Sequence, residues 1–139
     1  MTTRSAWRGQ RGQAIVETMI GTVIFIFLVL GIIEFGRAWM VGNMITHAAR
    51  NGGRIAATSA SRTNGTITNT AAIQTEVLNE IKDVVSTTGF AVNVTQPSPG
   101  GIPMVQVQVT GTVPYLFNLV PGTTSFAVNR TVTFRDEGR

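Results

Sequence analysis

The chain contains no cysteine and a single histidine, His47, among its 139 residues. The absence of cysteine excludes disulfide bonds and thiolate metal sites, and one histidine gives little basis for a metal centre. The seven acidic residues are divided between the two ends of an apolar run, one later segment and the C-terminus. An enzyme needs acids, bases or metal ligands that converge on one place. The sequence therefore predicts a protein that is not an enzyme and uses no cofactor or metal.

Basic residues exceed acidic ones and give a formal net charge of +4, but they form no compact patch. Three of them precede the apolar run, namely Arg4, Arg8 and Arg11. Without that first segment, eight basic residues would face seven acidic ones. Proteins that bind nucleic acids concentrate lysine and arginine on one face, with aromatic side chains among them when they bind single strands. We therefore predict no nucleic-acid partner.

Twenty residues, from Ala14 to Ile33, form an apolar run that contains one charged side chain, Glu17. At about 1.5 Å per residue, a helix of this length spans about 30 Å, the thickness of a bilayer core. A secretory signal peptide has a shorter apolar region, of about 7–15 residues, and a small-residue cleavage site after it. We therefore predict that residues 13–36 form one transmembrane helix. The arginines upstream favour an N-terminus in the cytoplasm and a C-terminal domain outside it.

Glu17 lies three residues inside this run, where an isolated carboxylate is unfavourable even near the end of a membrane helix. Cleavage between Gly12 and Gln13 would make Gln13 the new N-terminus and Glu17 the fifth residue. The positive amine of a neighbouring subunit, shifted by about one helical turn, can then pair with Glu17 in a dry environment. Residues 1–12 are accordingly predicted to be a basic cytoplasmic leader that is removed. The alternative is an incidental interfacial acid on an uncleaved anchor.

Two segments resemble the TadE-like proteins of tight-adherence (Tad/Flp) pilus systems, RGQAIVETMIGTVIFIFLVLGIIEFGRAW and ITHAARNGGRIAA. In that family a Gly-Gln-Ala-x-x-Glu start opens the membrane helix, which leads into Glu-Phe-Gly-Arg. The resemblance implies a minor pseudopilin that a prepilin peptidase cuts after Gly12 and that acts in pilus assembly or adhesion. The implied partners are this peptidase, other pilins and pseudopilins, the inner-membrane assembly platform and the lipid bilayer.

Thr18 departs from the major Flp pilins, which carry tyrosine after the glutamate, so the resemblance is to a minor component. The implied location is the bacterial cytoplasmic (inner) membrane, with later incorporation into an extracellular pilus. The second hypothesis is an uncleaved, single-pass membrane-anchored adhesin or binding module. The state of the leader distinguishes the two hypotheses.

Helical periodicity continues beyond the membrane, and no proline interrupts residues 13–61. We predict that residues 37–61 extend the first helix, with one apolar stripe at helical spacing: Ala38, Val41, Ile45 and Ala48. The sequence Asn51-Gly52-Gly53 is expected to weaken or bend the helix near its end.

Two groups of charged residues lie on this extension. Glu34 and Arg37 are three residues apart and are predicted to form an ion pair that lowers the cost of leaving the membrane. A second face carries three basic side chains, His47, Arg50 and Arg54. We interpret it as a solvated helix face, and keep a contact face for an acidic lipid or protein as the alternative.

Residues 62–139 are predicted to form an exported α+β domain that follows a polar loop. Apolar residues at helical spacing predict a second helix over about Thr70 to Thr88, with Glu76, Glu80 and Asp83 facing away from the core. Alternating apolar residues predict three strands, over residues 90–95, 105–110 and about 125–134. This order indicates a small three-stranded antiparallel sheet packed on the second helix and on the outer end of the first, a pilin-like arrangement.

Two features of this domain leave alternatives open. Arg130 falls on the apolar face of the last strand, so either a bulge re-aims it or it lies where no helix covers the sheet. Residues 113–122, VPYLFNLVPG, are too apolar for an ordinary connector. They either cover the core, which we favour, or form a contact with another subunit.

Overall fold

The computed structural model describes residues 6–58, 60–86, 88–117, 119 and 121–136, with side chains from residue 12 onward. Within this part of the chain, two helices and five strands follow one another: α1 (Ala6–Thr58), β1 (Arg62–Thr63), β2 (Thr66–Ile67), α2 (Thr70–Ile81), β3 (Ala91–Thr95), β4 (Met104–Pro114) and β5 (Ser125–Arg135). The predicted α+β class, with a long N-terminal helix, a second helix and a three-stranded antiparallel sheet, is confirmed. Most of the predicted leader lies outside the described residues.

The first helix, α1, is 53 residues long and ends at Thr58, three residues before the predicted end. The helix continues through Gly52 and Gly53, where the sequence predicted a weakened or bent segment. Instead these glycines allow close packing, because a Cβ on Gly52 would lie 2.3 Å from Val77 Cγ2 and one on Gly53 would lie 2.6 Å from the Phe134 ring. Helix α2 and strand β5 therefore approach α1 at the two positions that carry no side chain.

The second helix, α2, ends at Ile81 rather than near Thr88, so the predicted end was wrong. The amides of Val84 and Val85 both donate to the carbonyl of Ile81, at 3.1 Å each, which makes a turn after the helix. That turn still buries Val85 and packs Val84 against the core. Apolar residues at helical spacing therefore continue beyond Ile81, where the helix ends, and this is why the sequence predicted a longer helix. Thr87 lies outside the described residues.

The sheet has the order β3-β4-β5, and both pairs of strands are antiparallel. The four valines of β4 that point to one face are fully buried: Val105, Val107, Val109 and Val113. Helix α1 covers β4 and β5, while α2 packs against α1 and β3. Apolar residues of α1 complete this core, among them Val41, Ile45, Ala48 and Ala49. The outer half of α1 is therefore part of the domain.

Arg130 lies opposite Val109 in an uninterrupted register between β4 and β5. The explanation by a bulge is thus wrong. The side chain is exposed, and its Nη2 atom lies 3.7 Å from the position that a Cβ of Gly42 would occupy. Arg130 therefore extends toward α1 beside Gly42, while its side chain remains exposed to solvent.

The polar loop predicted after α1 contains a small hairpin, formed by β1 and β2. Its turn is Asn64-Gly65, with φ of 52° and 80°. Asn-Gly is the preferred sequence for a two-residue hairpin turn, because both positions need positive φ. The hairpin buries Ile67, so this segment belongs to the core and is more than a connector.

Candidate functional site

The predicted processing residues, Gly12 and Gln13, lie within the continuous helix α1 and are exposed. A Cβ on Gly12 would meet nothing within 4 Å. Glu17 follows one helical turn after Gln13 and is also exposed. Within the described residues, its carboxylate has no ion-pair or hydrogen-bond partner. A charge in this position is available to a second molecule.

The predicted membrane segment is exposed along residues 12–29, before α1 reaches the rest of the domain. Helix α1 is long and apolar enough to cross a membrane, and none of its most apolar window is buried. Large side chains on all sides of the helix are exposed, including Ile15, Met19, Phe25, Phe27 and Ile32. An apolar surface of this extent is stable only against lipid or against other apolar helices.

Glu34 and Arg37 mark the end of the apolar run, and they form an ion pair with 2.9 Å between Arg37 Nη2 and Glu34 Oε1. Glu34 is 7% exposed. Its second oxygen, Oε2, accepts hydrogen bonds from the amides of Leu116 at 3.0 Å and Phe117 at 3.3 Å. Arg37 also donates to the carbonyl of Pro114. The pair therefore fastens the connection between β4 and β5 to the membrane end of α1.

We call this connection, residues 114–119, the return loop. Tyr115, Phe117 and Leu119 are half-buried, whereas Leu116 is 61% exposed. The half-buried side chains line a cavity of about 450 Å³ together with Phe126 of β5 and with residues of α1, including Gly31, Phe35 and Ala38. The Tyr115 and Phe126 rings lie 5.6 Å apart across it.

Among the described residues of the 113–122 segment, Val113 alone is in the core. The loop itself covers the end of the membrane helix, a position that neither sequence alternative described. Asn118 and Val120 lie outside the described residues.

The basic residues His47, Arg50 and Arg54 are exposed on one face of α1, and they line a shallow cavity of about 500 Å³ with Glu80 and Phe134. Within the described residues, none of these three side chains takes part in an ion pair. Glu80 is half-buried and accepts a hydrogen bond of 3.1 Å from Asn51 of α1. The prediction that Glu80 faces away from the core was therefore wrong. We call His47, Arg50 and Arg54 the basic face.

Metal ligands do not cluster in the described residues, where no three His, Cys, Asp or Glu side chains could hold an ion together. Glu76 and Asp83 are exposed on α2 and its following turn, and Glu80 is engaged with α1.

A buried ion pair between Arg62 and Asp136 was not foreseen from the sequence. Arg62 also donates to the carbonyl of Ala56 near the end of α1, at 2.9 Å, and to the carbonyl of Ala60 just after the helix, at 3.3 Å. Asp136 accepts a hydrogen bond of 3.1 Å from Gln96. The pair joins the end of α1 to the end of β5 across 74 residues, a separation at which no sequence pattern indicates contact.

Comparison with known proteins gives one match, between residues 12–54 and the model of the family described as TadE-like protein. The matched range begins at Gly12 and includes Glu17, the Glu34–Arg37 pair and the basic face. Neither a curated protein nor a solved structure matches the chain. The resemblance found in the sequence is confirmed over this range. The N-terminal part of the chain is therefore similar to TadE-like proteins, and helix α1 is long and apolar enough to cross a membrane.

Proposed function

We propose that the protein is a minor pseudopilin of a Tad/Flp-type pilus, cut by a prepilin peptidase after Gly12 and active in pilus assembly or adhesion. The observation that carries this proposal is Glu17, which has no partner among the described residues and lies one helical turn after Gln13 on an exposed apolar stretch of α1. A family match that begins at Gly12 supports it independently. The protein acts through its surfaces, by joining a membrane-embedded assembly.

Cleavage supplies the missing partner of Glu17. The new amine of Gln13 lies four residues from Glu17, which is about 6 Å along a helix axis. A neighbouring helix shifted by about that distance brings its amine level with this carboxylate. In a low-dielectric environment the attraction between the two charges is several times stronger than in water. The pair can therefore set the axial stagger of adjacent helices.

The exposed apolar side chains of the span serve two successive environments. In the cytoplasmic membrane they contact lipid, and in the assembly they pack against the helices of other pilins and pseudopilins. The arginine-rich leader keeps the N-terminus inside, which leaves the sheet and α2 outside. The basic face then lies just beyond the membrane, where it meets acidic surfaces of neighbouring subunits or of the assembly platform.

The first test of this function is the mass of the protein isolated from cells with an active prepilin peptidase. We expect a chain that begins at Gln13. Gly12→Val should leave the leader attached, because a branched side chain replaces the glycine at the cut. Gly9→Val is the matched control and should be processed normally. A wild-type chain that still begins at Met1 would contradict the proposal and leave the uncleaved adhesin or binding module.

The second test separates assembly from cleavage. Glu17→Ala should be processed but fail to enter the pilus, because the amine of the neighbour loses its partner. Thr22→Ala is a suitable control, since the Thr22 hydroxyl only donates to the carbonyl of Thr18 in its own helix. The measurement is the amount of each variant in sheared pili relative to the membrane fraction. Equal incorporation of Glu17→Ala and wild type would overturn the role of Glu17.

A further inference from the structure

We infer that the return loop is a second membrane contact, in which the apolar cavity behind the loop takes an acyl chain of a neighbouring phospholipid. The contact lies in the leaflet on the domain side. The inference depends on insertion of α1 into a membrane, and it requires neither cleavage of the leader nor entry into a pilus.

The position of the loop is fixed by its hydrogen bonds. Glu34 directly follows Ile33, the last residue of the apolar run. The amides of Leu116 and Phe117 lie 3.0 Å and 3.3 Å from the Glu34 carboxylate, so the loop is held at the depth where the helix leaves the membrane. The cavity extends further, to Gly31, which lies three residues before Glu34, or about 4.5 Å along the helix.

The described backbone amides of the loop have hydrogen-bond acceptors within the protein, as a site with little water requires. Each described amide of residues 115–119 donates within the protein: Tyr115 to Thr124 O at 3.0 Å, Leu116 and Phe117 to Glu34, and Leu119 to Phe117 O at 2.8 Å. Pro114 has no amide hydrogen, and its carbonyl accepts from Arg37. Backbone polar groups at a lipid surface must be satisfied in this way, since the surroundings offer no partners.

The side chains of the loop fit lipid better than water. Leu116 is 61% exposed at the tip, and aromatic rings of Tyr115 and Phe117 line the cavity beneath. Phe35, on the membrane helix, lines the same cavity and is itself exposed, so the apolar surface of the span continues into the cavity. Trp39 follows one turn later, 6.4 Å from the Phe35 ring, at a depth where aromatic side chains favour the interface.

A lipid chain is the expected occupant because Gly31 and Phe35 belong to the part of α1 that lipid surrounds. Phospholipid surrounds every inserted molecule of the protein at this depth, whereas a second protein molecule would reach the cavity only during assembly. The loop and α1 then hold the domain against the membrane at two points. The acyl chain must therefore leave the cavity before the protein can be extracted from the membrane.

The experiment uses tryptophan as a depth probe in the full chain, reconstituted into phosphatidylcholine vesicles with or without brominated acyl chains. The native tryptophans are replaced first, by Trp7→Phe and Trp39→Phe. Leu116→Trp then probes the tip of the loop, and Phe117→Trp probes the cavity. Ile102→Trp is the control: Ile102 is 48% exposed and lies at the other end of β4, about 30 Å away at 3.3 Å per residue.

We expect lipids brominated near the headgroup to quench the emission of Trp at 116 and 117 and to leave Trp at 102 unchanged. Equal quenching at 116 and 102, or none at 116, would overturn the membrane contact. Quenching at 116 without quenching at 117 would overturn the acyl chain as occupant of the cavity. A blue shift at 117 that depends on the protein-to-lipid ratio, without quenching, would assign the cavity to a second copy and overturn the proposal. Circular dichroism of each variant establishes that it is folded.

Discussion

The amide of Leu116 donates a 3.0 Å hydrogen bond to the carboxylate of Glu34, 82 residues earlier in the chain. Arg37 holds the same carboxylate from the other side. An ion pair that a helical spacing of three residues predicts is thus also the attachment point of a distant loop. The attachment fixes the sheet relative to the membrane end of α1.

We expect Glu34→Ala to release the return loop, because two amides and Arg37 lose their acceptor together. Glu34→Gln should have a smaller effect, since its carbonyl oxygen still accepts from one or both amides. The measurement is hydrogen–deuterium exchange of a peptide that covers residues 115–117. Exchange should be fastest in the alanine variant, intermediate in the glutamine variant and slowest in the wild type. Unchanged exchange in Glu34→Ala would show that the cavity side chains alone hold the loop.

Removal of one partner of the buried Arg62–Asp136 pair should lower the free energy of unfolding strongly. We expect Asp136→Ala to cost about 3–5 kcal/mol, because it leaves a buried guanidinium without its counter-charge. Arg54→Ala is the control, because it removes an exposed arginine. It should change the free energy of unfolding by less than about 0.5 kcal/mol. Urea titration of the full chain in detergent, followed by circular dichroism, measures both.

The double variant Arg62→Met with Asp136→Leu extends this test. It should recover part of the lost stability, since no unpaired charge remains. Recovery stays incomplete because the carbonyls of Ala56 and Ala60 lose their donor. A double variant less stable than Asp136→Ala would contradict this explanation.

Two glycines of α1 should respond to alanine in opposite directions. A Cβ on Gly52 would lie 2.3 Å from Val77, so Gly52→Ala should destabilise the domain by about 1–3 kcal/mol through overpacking. At Gly42 the nearest atom would be 3.7 Å away, an ordinary contact, so Gly42→Ala should stabilise the helix by about 0.5–1 kcal/mol. The temperature of unfolding in detergent gives the sign of each change. A rise for Gly52→Ala would contradict the assignment of close packing to Gly52, and a fall for Gly42→Ala would contradict the open space beside Gly42.

Charge reversal of the basic face should weaken assembly without affecting folding or cleavage. Arg50 and Arg54 are exposed and outside any ion pair in the described structure, so Arg50→Glu with Arg54→Glu removes no internal contact of that kind. We expect less of this variant in sheared pili, with the same mature mass. Lys82→Glu, a charge reversal on the turn after α2, is the control. Equal amounts of all three proteins in pili would identify the basic face as a solvated surface.

The elements with strong periodicity were predictable from the sequence. The apolar run, the stripe on α1 and the alternating valines of β4 follow from local spacing alone. The valines and most of the stripe lie in the core as predicted, and the run is long and apolar enough to cross a membrane. The end of α2 was not predictable in this way, because Val84 and Val85 remain apolar while the backbone turns. The Asn64-Gly65 pair is a hairpin signal in the sequence, and the prediction of a plain polar loop omits it.

The contacts that join distant segments had no local pattern. Glu34 with Leu116, and Arg62 with Asp136, are separated by 82 and 74 residues. Single charged residues give no indication of a partner that far away. The same holds for Gly52. The sequence predicted a weakened helix there, whereas in the structure Val77 packs against the helix at the position that has no side chain.

The core of the domain contains Val41, Ile45, Ala48 and Ala49 from the same helix that crosses the membrane. A soluble fragment that starts after α1 would consequently lack one wall of its interior and leave the valines of β4 open to water. Any water-soluble version of the protein has to begin upstream of Val41, and release of the domain by a protease acting within residues 41–58 would destroy it rather than liberate it.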